Sequence, residues 1–448
     1  MIFLHPDQRF VVDRHYEGPA RIRGSAGTGK TVVALHRAAA LVRRFESEGD
    51  GNERVLFTTF IKSLPPVFEE LYGRLPSARP DDAIDFCHID KLAHRICSEA
   101  GDRPIVDPRK VDATFAAAVR AILPEPPVSR EYLREEITQV IKGRGITNVD
   151  AYLALERTGR RTPFGEVVRR QVWAVKERWD ADLRAVDVVD FPDIVLRARG
   201  HARRRRNPTY RAAIIDEAQD LTLVGLGLVR SLVNGPGGVD RSDGLLVVGD
   251  GAQRIYAGGF TLRQAGVEVR GRTTVLRTNY RNSSQIIGTA MAVAGREEVD
   301  DLGETFARGD APALVERSGE RPVLVLCKAP GAGAGEEADW IAREITRLSG
   351  AGDLDLGDVV VATSTNVRAE EIERRLQAAG VATINLRRYT GKPVDKVKVG
   401  TYFRVKGLEF KAVFLAAWGW PTFPGGPHRA RAQKRSPSSA CWRSANCS

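Results

Sequence analysis

The stretch Gly24-Ser25-Ala26-Gly27-Thr28-Gly29-Lys30-Thr31 constrains this chain more than any other. It fits the pattern G-x-x-x-x-G-K-[ST]. Glycines there let the backbone turn tightly and aim successive N–H groups at phosphate oxygens. Lys30 would reach the β- and γ-phosphates of a nucleotide, and the Thr31 hydroxyl would ligand Mg²⁺. The flanks agree with this reading. Ala20 to Arg23 can end a strand, and Val32 to Leu41 reads as a helix whose N-terminus adds positive dipole. A strand, a phosphate loop and a helix in that order predict an α/β fold with a parallel sheet.

A second apolar run, Ala212-Ala213-Ile214-Ile215, ends in Asp216-Glu217. A strand that delivers two adjacent acids beside a phosphate loop suits metal-assisted phosphoryl transfer. Asp216 would hold Mg²⁺ through water, and Glu217 would orient or deprotonate the attacking water. Two more buried strands are expected at Val55 to Phe60 and Leu245 to Asp250, because continuous apolar β-rich runs mark strands covered on both faces. Thr59, Phe60 and Lys62 then fall at the carboxyl end of the first, where open α/β sheets place their ligands. Gln253 follows the second and is placed to sense the γ-phosphate, and Tyr256 can stack on a base. Upstream, Leu4-His5-Pro6-Asp7-Gln8 carries an amide whose donor and acceptor suit an adenine edge.

Residues 98–206 interrupt the α/β alternation. Val111 to Leu123, Tyr132 to Ile141 and Val167 to Leu183 have helical apolar spacing, so this block is read as an inserted, mainly helical subdomain. From about residue 321 a new strand–helix alternation begins, with strands at Pro322 to Cys327, Asp358 to Ala362, Val397 to Thr401 and Val413 to Leu415. The expected organisation is therefore a first lobe over 1–97 and 207–275, the insertion at 98–206, a second lobe over 276–420, and a basic tail from 421 to 448.

Composition narrows the partners. With 448 residues the chain can bury several cores. No apolar run approaches a membrane span and no signal peptide opens the chain. The five cysteines form no C-x-x-C pair, so a reducing cytoplasm is the expected setting. A net charge of +11 suits a polyanionic partner.

Taken in order, L-H-P-D-Q, G-S-A-G-T-G-K-T, V-L-F-T-T-F, I-I-D-E-A-Q-D, V-V-G-D-G-A-Q-R-I-Y, L-R-T-N-Y-R-N and V-K-G-L-E-F resemble the UvrD/Rep family of superfamily 1 helicases. The resemblance spans residues 4 to 415. It implies two RecA-like lobes with ATP and Mg²⁺ between them and single-stranded DNA, or DNA with a single-stranded tail, across the top. It implies that Gln8 reads adenine and Tyr280 stacks on it. Arg281 and Gln253 would contact the γ-phosphate, and Glu409 the ribose. Thr59 and Phe60 would lie along the DNA path. The family usually moves 3′ to 5′.

Two departures stand out. Ala257-Gly258-Gly259-Phe260 follows Tyr256 where the family often has a tryptophan, and no V-A-x-T-R-A-R-like helix follows Leu415. From Pro421 to Ser448 the chain has no valine, isoleucine, leucine or acid. The tail is accordingly expected to be irregular, the second lobe under-packed, and ATP turnover low, as in a truncated or frame-shifted relative. Three readings follow: a DNA-dependent ATPase of helicase type, a nucleotide- and DNA-binding module with weak turnover, and a P-loop ATPase acting on a protein partner.

Overall fold

The computed structural model describes residues 4–49, 54–78, 83–157, 162–234, 238–250, 260–294, 299–301, 304–306, 314–327, 334–352, 354–418 and 439–445. In the first lobe, β1 (Ala20–Gly24), β2 (Val55–Thr59), β3 (Ile84–His88), β4 (Ala212–Asp216), β5 (Leu245–Gly249) and β6 (Thr273–Leu276) form one sheet. Its order is β3-β2-β4-β5-β1-β6, and every pair is parallel. The three central strands β2, β4 and β5 are buried along their whole length, as their unbroken apolar sequences require in a sheet covered on both faces. One face carries helix Lys30–Glu48, which packs Val33, Leu35, Leu41 and Phe45 against Phe57 and Ile214. The other face is covered by helices Ile89–Glu99, Phe191–Arg203 and Leu223–Val233.

The packing divides the helices of 98–206 between two cores. Ile194, Val195, Ala198 and Ala202 belong to the first lobe's core, together with Ile89, Leu92 and Cys97. The helical subdomain's own core is built from Phe115 to Val188, with Trp173 and Trp179 buried in it. Helical spacing identifies a helix but not the layer it joins, and the last helix within 98–206 joins the first lobe's layer. A second local difference lies at Tyr132 to Ile141. Helix Arg130–Glu135 passes into a π-helix, Glu136–Lys142, which leaves both Glu136 and Lys142 buried.

After β7 (Thr278–Ser283) comes the small hairpin β8 (Val299–Asp301) and β9 (Glu304–Phe306), then β10 (Leu314–Arg317), which pairs with β7 in parallel. The second lobe's sheet contains β11 (Val323–Cys327), β12 (Val359–Thr363), β13 (Thr383–Asn385), β14 (Val397–Thr401), β15 (Ala412–Trp418) and β16 (Ser439–Ala445), in the order β11-β16-β15-β12-β14-β13. The tail expected to be irregular thus contributes β16, which lies antiparallel between β11 and β15. The reason is a backbone one. Two neighbouring strands offer rows of N–H and C=O groups that need partners, and any chain without proline can supply them whatever its side chains. The expectation of an irregular tail is corrected to this extent.

Candidate active site

Both lobes line one cleft of about 1270 Å³. Gln8, Gly27, Gly29, Lys30, Thr31 and Glu217 face it from the first lobe, Tyr280 and Arg281 from β7 beside the phosphate loop, and Leu408 and Glu409 from the second lobe. The phosphate loop turns on Gly27 and Gly29, whose φ angles of 81° and 79° are left-handed. A Cβ on Gly27 would sit 2.6 Å from Asn279 Oδ1, and one on Gly29 would sit 2.9 Å from Gln8 Nε2. Only glycine meets both the conformation and the space.

Lys30 is buried at the start of its helix, and its ammonium donates to Gly24 O at 2.8 Å and Ser25 O at 3.0 Å. Gly24 and Ser25 thus lie at the root of the loop and hold the amine, while Ala26 and Gly27 line the cleft. Thr28 is fully buried and braces the turn by donating from Oγ1 to Ser25 O at 2.9 Å. The Thr31 hydroxyl donates to Asp216 Oδ2 at 2.8 Å, joining the ends of β1 and β4 across the intervening β5. Asp216 Oδ1 is buried and makes no hydrogen bond among the described residues. Burial, and then the neighbouring Glu217 carboxylate, push the Asp216 carboxyl up to about 7. An orphaned carboxylate oxygen beside a threonine hydroxyl, in a place where negative charge is already costly, is a donor set that fits a hard divalent cation.

Glu217 has φ 53°, a left-handed conformation outside glycine. Such strain costs about 1–3 kcal/mol and persists where the surroundings over-determine it. Gln219 is part of those surroundings: its amide donates to Glu217 Oε2, and its carbonyl oxygen accepts from Asp250 N at 3.0 Å. Lys406 arrives from the second lobe, 2.5 Å from Asp220 Oδ2 and 3.7 Å from Glu217 Oε2. Asn279 donates to Ala26 O and accepts from Arg281 N and Asn282 N at 3.1 and 2.9 Å. Gln219, Asn279 and Lys406 had not been singled out, although each lies inside a stretch already quoted.

The residues expected to meet a nucleotide are brought together, with three particulars. Gln8 donates to Thr28 O at 3.0 Å and accepts from His5 N at 3.2 Å, so its amide also steadies the phosphate loop. The Tyr280 ring lies 5.1 Å from the His5 ring, and its backbone N–H donates to Gly27 O at 3.0 Å. Arg281 is paired with Glu409 at 2.6 Å, so two expected nucleotide contacts engage each other across the cleft mouth. Of the expected DNA contacts, Thr59 is fully buried, and its hydroxyl accepts from Ile61 N at 3.3 Å. Phe60 is half-buried against the first lobe's core. Lys62 sits 3.2 Å from Asp90 and 4.2 Å from the centre of the exposed Phe191 ring. Gln253 and Tyr256 lie outside the described residues.

A nucleotide-sized cleft between two α/β lobes, lined by a phosphate loop and an arginine, defines the class: a two-lobed P-loop protein. Comparison with known proteins takes the next step. Residues 106–266 match the family of the UvrD/REP helicase N-terminal domain. The chain is similar to the ATP-dependent DNA helicase UvrD1 of Mycobacterium tuberculosis, at 31% identity over 404 residues, covering 84% of this chain and 49% of that protein. It is similar also to the UvrD1 of Mycobacterium leprae, at 26% identity over 413 residues, covering 85% of this chain and 49% of that protein. The chain belongs to the UvrD/Rep helicase family, and it spans about half the length of the curated relatives it matches. No described helix is long and apolar enough to cross a membrane.

Proposed function

We propose that this chain hydrolyses ATP between its two lobes and uses the cycle to move along a single DNA strand, in the 3′-to-5′ sense usual for the family. The observation that carries the reading is the shared cleft, lined by Lys30, Thr31 and Glu217 together with Tyr280, Arg281 and Glu409.

In this reading the amides of Gly24 to Thr31 and the Lys30 ammonium bind the phosphates. Thr31 and Asp216 would hold Mg²⁺, which when bound offsets phosphate charge. Glu217, steadied by Gln219, orients the attacking water and takes its proton. Arg281 exchanges Glu409 for the terminal phosphate, which frees Glu409 for the ribose. Tyr280 stacks on the base beside Gln8, and Gln253 senses the phosphate. Lobe closure is thereby tied to nucleotide state, because the Arg281–Glu409 and Lys406–Asp220 pairs attach the second lobe to site residues. DNA runs over the carboxyl ends of the first lobe's strands, near Thr59, Phe60, Lys62 and Tyr256.

The test is steady-state ATP hydrolysis by the full chain with and without a single-stranded oligonucleotide. Strong stimulation that disappears in Lys30→Ala, with the circular dichroism unchanged, is the expected result. Hydrolysis indifferent to DNA would point to a different partner. Binding of both ligands without turnover would reduce the chain to a binding module.

A further inference from the structure

Away from the cleft, at the base of the helical subdomain, we infer that Cys97, Asp102 and His201 form a binding site for one divalent cation of the zinc class. The ligand atoms, Cys97 Sγ, an Asp102 carboxylate oxygen and a His201 ring nitrogen, all lie within 4.8 Å of one another. Chain geometry produces this meeting. Helix Ile89–Glu99 ends on the left-handed Gly101, with φ 79°, and Asp102 N donates back to Cys97 O at 2.9 Å. That closing turn folds the aspartate over the last turn of the helix, where the cysteine sits. Helix Phe191–Arg203 packs alongside, with Ile194 and Ala198 in the same core as Cys97, and His201 follows near its end.

The distances suit a small tetrahedral ion. His201 Nε2 is 3.1 Å from Asp102 Oδ2. Ligands about 2.0–2.1 Å from a tetrahedral zinc stand roughly 3.3 Å apart, and a sulfur at about 2.3 Å stands roughly 3.6 Å from its neighbours. Only the thiol has to approach. Its one hydrogen bond among the described contacts is a long one, 3.7 Å to Ile194 O. Arg197 holds the other Asp102 oxygen at 3.2 Å, the kind of outer contact that fixes a ligand's orientation. The set of sulfur, imidazole and carboxylate favours zinc-like ions over magnesium or calcium, which prefer oxygen alone. Cys97 is fully buried, whereas the side chains of Asp102 and His201 are 25% and 21% exposed. Solvent therefore reaches the fourth position, which a water fills. On binding, the metal–sulfur bond replaces the Cys97 S–H bond and the thiol proton leaves to solvent; the metal–nitrogen bond replaces the N–H by which His201 Nε2 meets Asp102, and the ring's remaining proton sits on Nδ1.

The position gives the ion a task. Cys97 and Asp102 stand where the chain leaves the first lobe for the helical subdomain, and His201 stands just after it returns. A bound cation ties exit to entry and stiffens the base on which the subdomain swings.

The experiment titrates Co²⁺ into the full chain with Mg²⁺ in excess, so that oxygen-only sites such as the cleft are filled. One equivalent should produce a sulfur-to-cobalt charge-transfer band, displaced by Zn²⁺ and lost in Cys97→Ser. His201→Gln, a change at a side chain outside the buried core, should also lose the band. Zn²⁺ should raise the thermal midpoint of the wild type and leave that of His201→Gln unmoved. Absence of the band in the wild type, or its survival in Cys97→Ser, overturns the inference.

Discussion

Two buried groups of acids in this molecule invite comparison. At the cleft, Asp216, Glu217 and Asp220 are all at least nine-tenths buried. In the helical region, Asp180, Asp190 and Asp193 surround Lys142 at 2.8, 2.9 and 3.0 Å. Each group contains one carboxyl pushed up to about 7, Asp216 in the first and Asp193 in the second, with burial the leading cause and a neighbouring acid next. A raised acid therefore does not by itself mark a functional site. The source of the compensating charge separates the two. Lys142 is 3% exposed and fixed at the centre of its group, and Lys176 adds a second ammonium 2.9 Å from Asp180. The cleft acids receive Lys406 from another lobe, and Asp216 keeps an oxygen unsatisfied. The Lys142 group is finished by its own fold; the cleft group is completed by whatever enters the cleft or by how the lobes meet.

The largest separation between the groups is expected in activity. Glu217→Gln keeps the shape and removes the base, so turnover should fall by about 10²–10⁴-fold with nucleotide affinity retained. Wild-type turnover in that variant would remove Glu217 from the proposed chemistry. Next comes stability. Lys142→Met leaves one buried and two partly buried acids without their central cation, and should cost about 3–5 kcal/mol by urea unfolding. A change within experimental error would mean that the acids are screened by something other than Lys142.

The smallest effect expected is in pH dependence. An acid whose pKa is higher in the folded state binds its proton more tightly there, so its contribution to stability falls as pH rises. For Asp193 the fall runs from the ordinary value of 3.8 to about 7 and then levels off. Asp193→Asn should flatten the wild-type stability slope in that window, and gain most relative to the wild type above pH 7. A variant curve parallel to the wild type would contradict this assignment.

The same contrast shows what could be read from residues alone. Gly24 to Thr31 and Ala212 to Glu217 were legible because phosphate and metal chemistry demand particular residues at particular spacings, and unbroken apolar runs mark buried parallel strands. Gln219, Asn279 and Lys406 were not. An amide or an ammonium has many ordinary uses, and their partners, Glu217, Ala26 and Asp220, are chosen through space. The acids around Lys142 were illegible for the same reason: Lys142, Asp180 and Asp190 are far apart along the chain and meet only after helices pack. Strand β16 has no apolar signature, because the edges of β11 and β15 select it through backbone pairing. The membership of helix Phe191–Arg203 in the first lobe's core is not legible either, because a helix's apolar stripe does not say which core will receive it.

The central claim is that the cleft acids form an incomplete site for a metal–nucleotide pair, whereas the Lys142 group is complete. Calorimetric titration with a non-hydrolysable ATP analogue, with and without Mg²⁺, tests it most directly. Mg²⁺ should strengthen binding markedly in the wild type, and Asp216→Asn should erase that gain while leaving the Mg²⁺-free affinity largely intact. Equal affinity with and without Mg²⁺ in the wild type, or a gain that survives Asp216→Asn, would contradict the account.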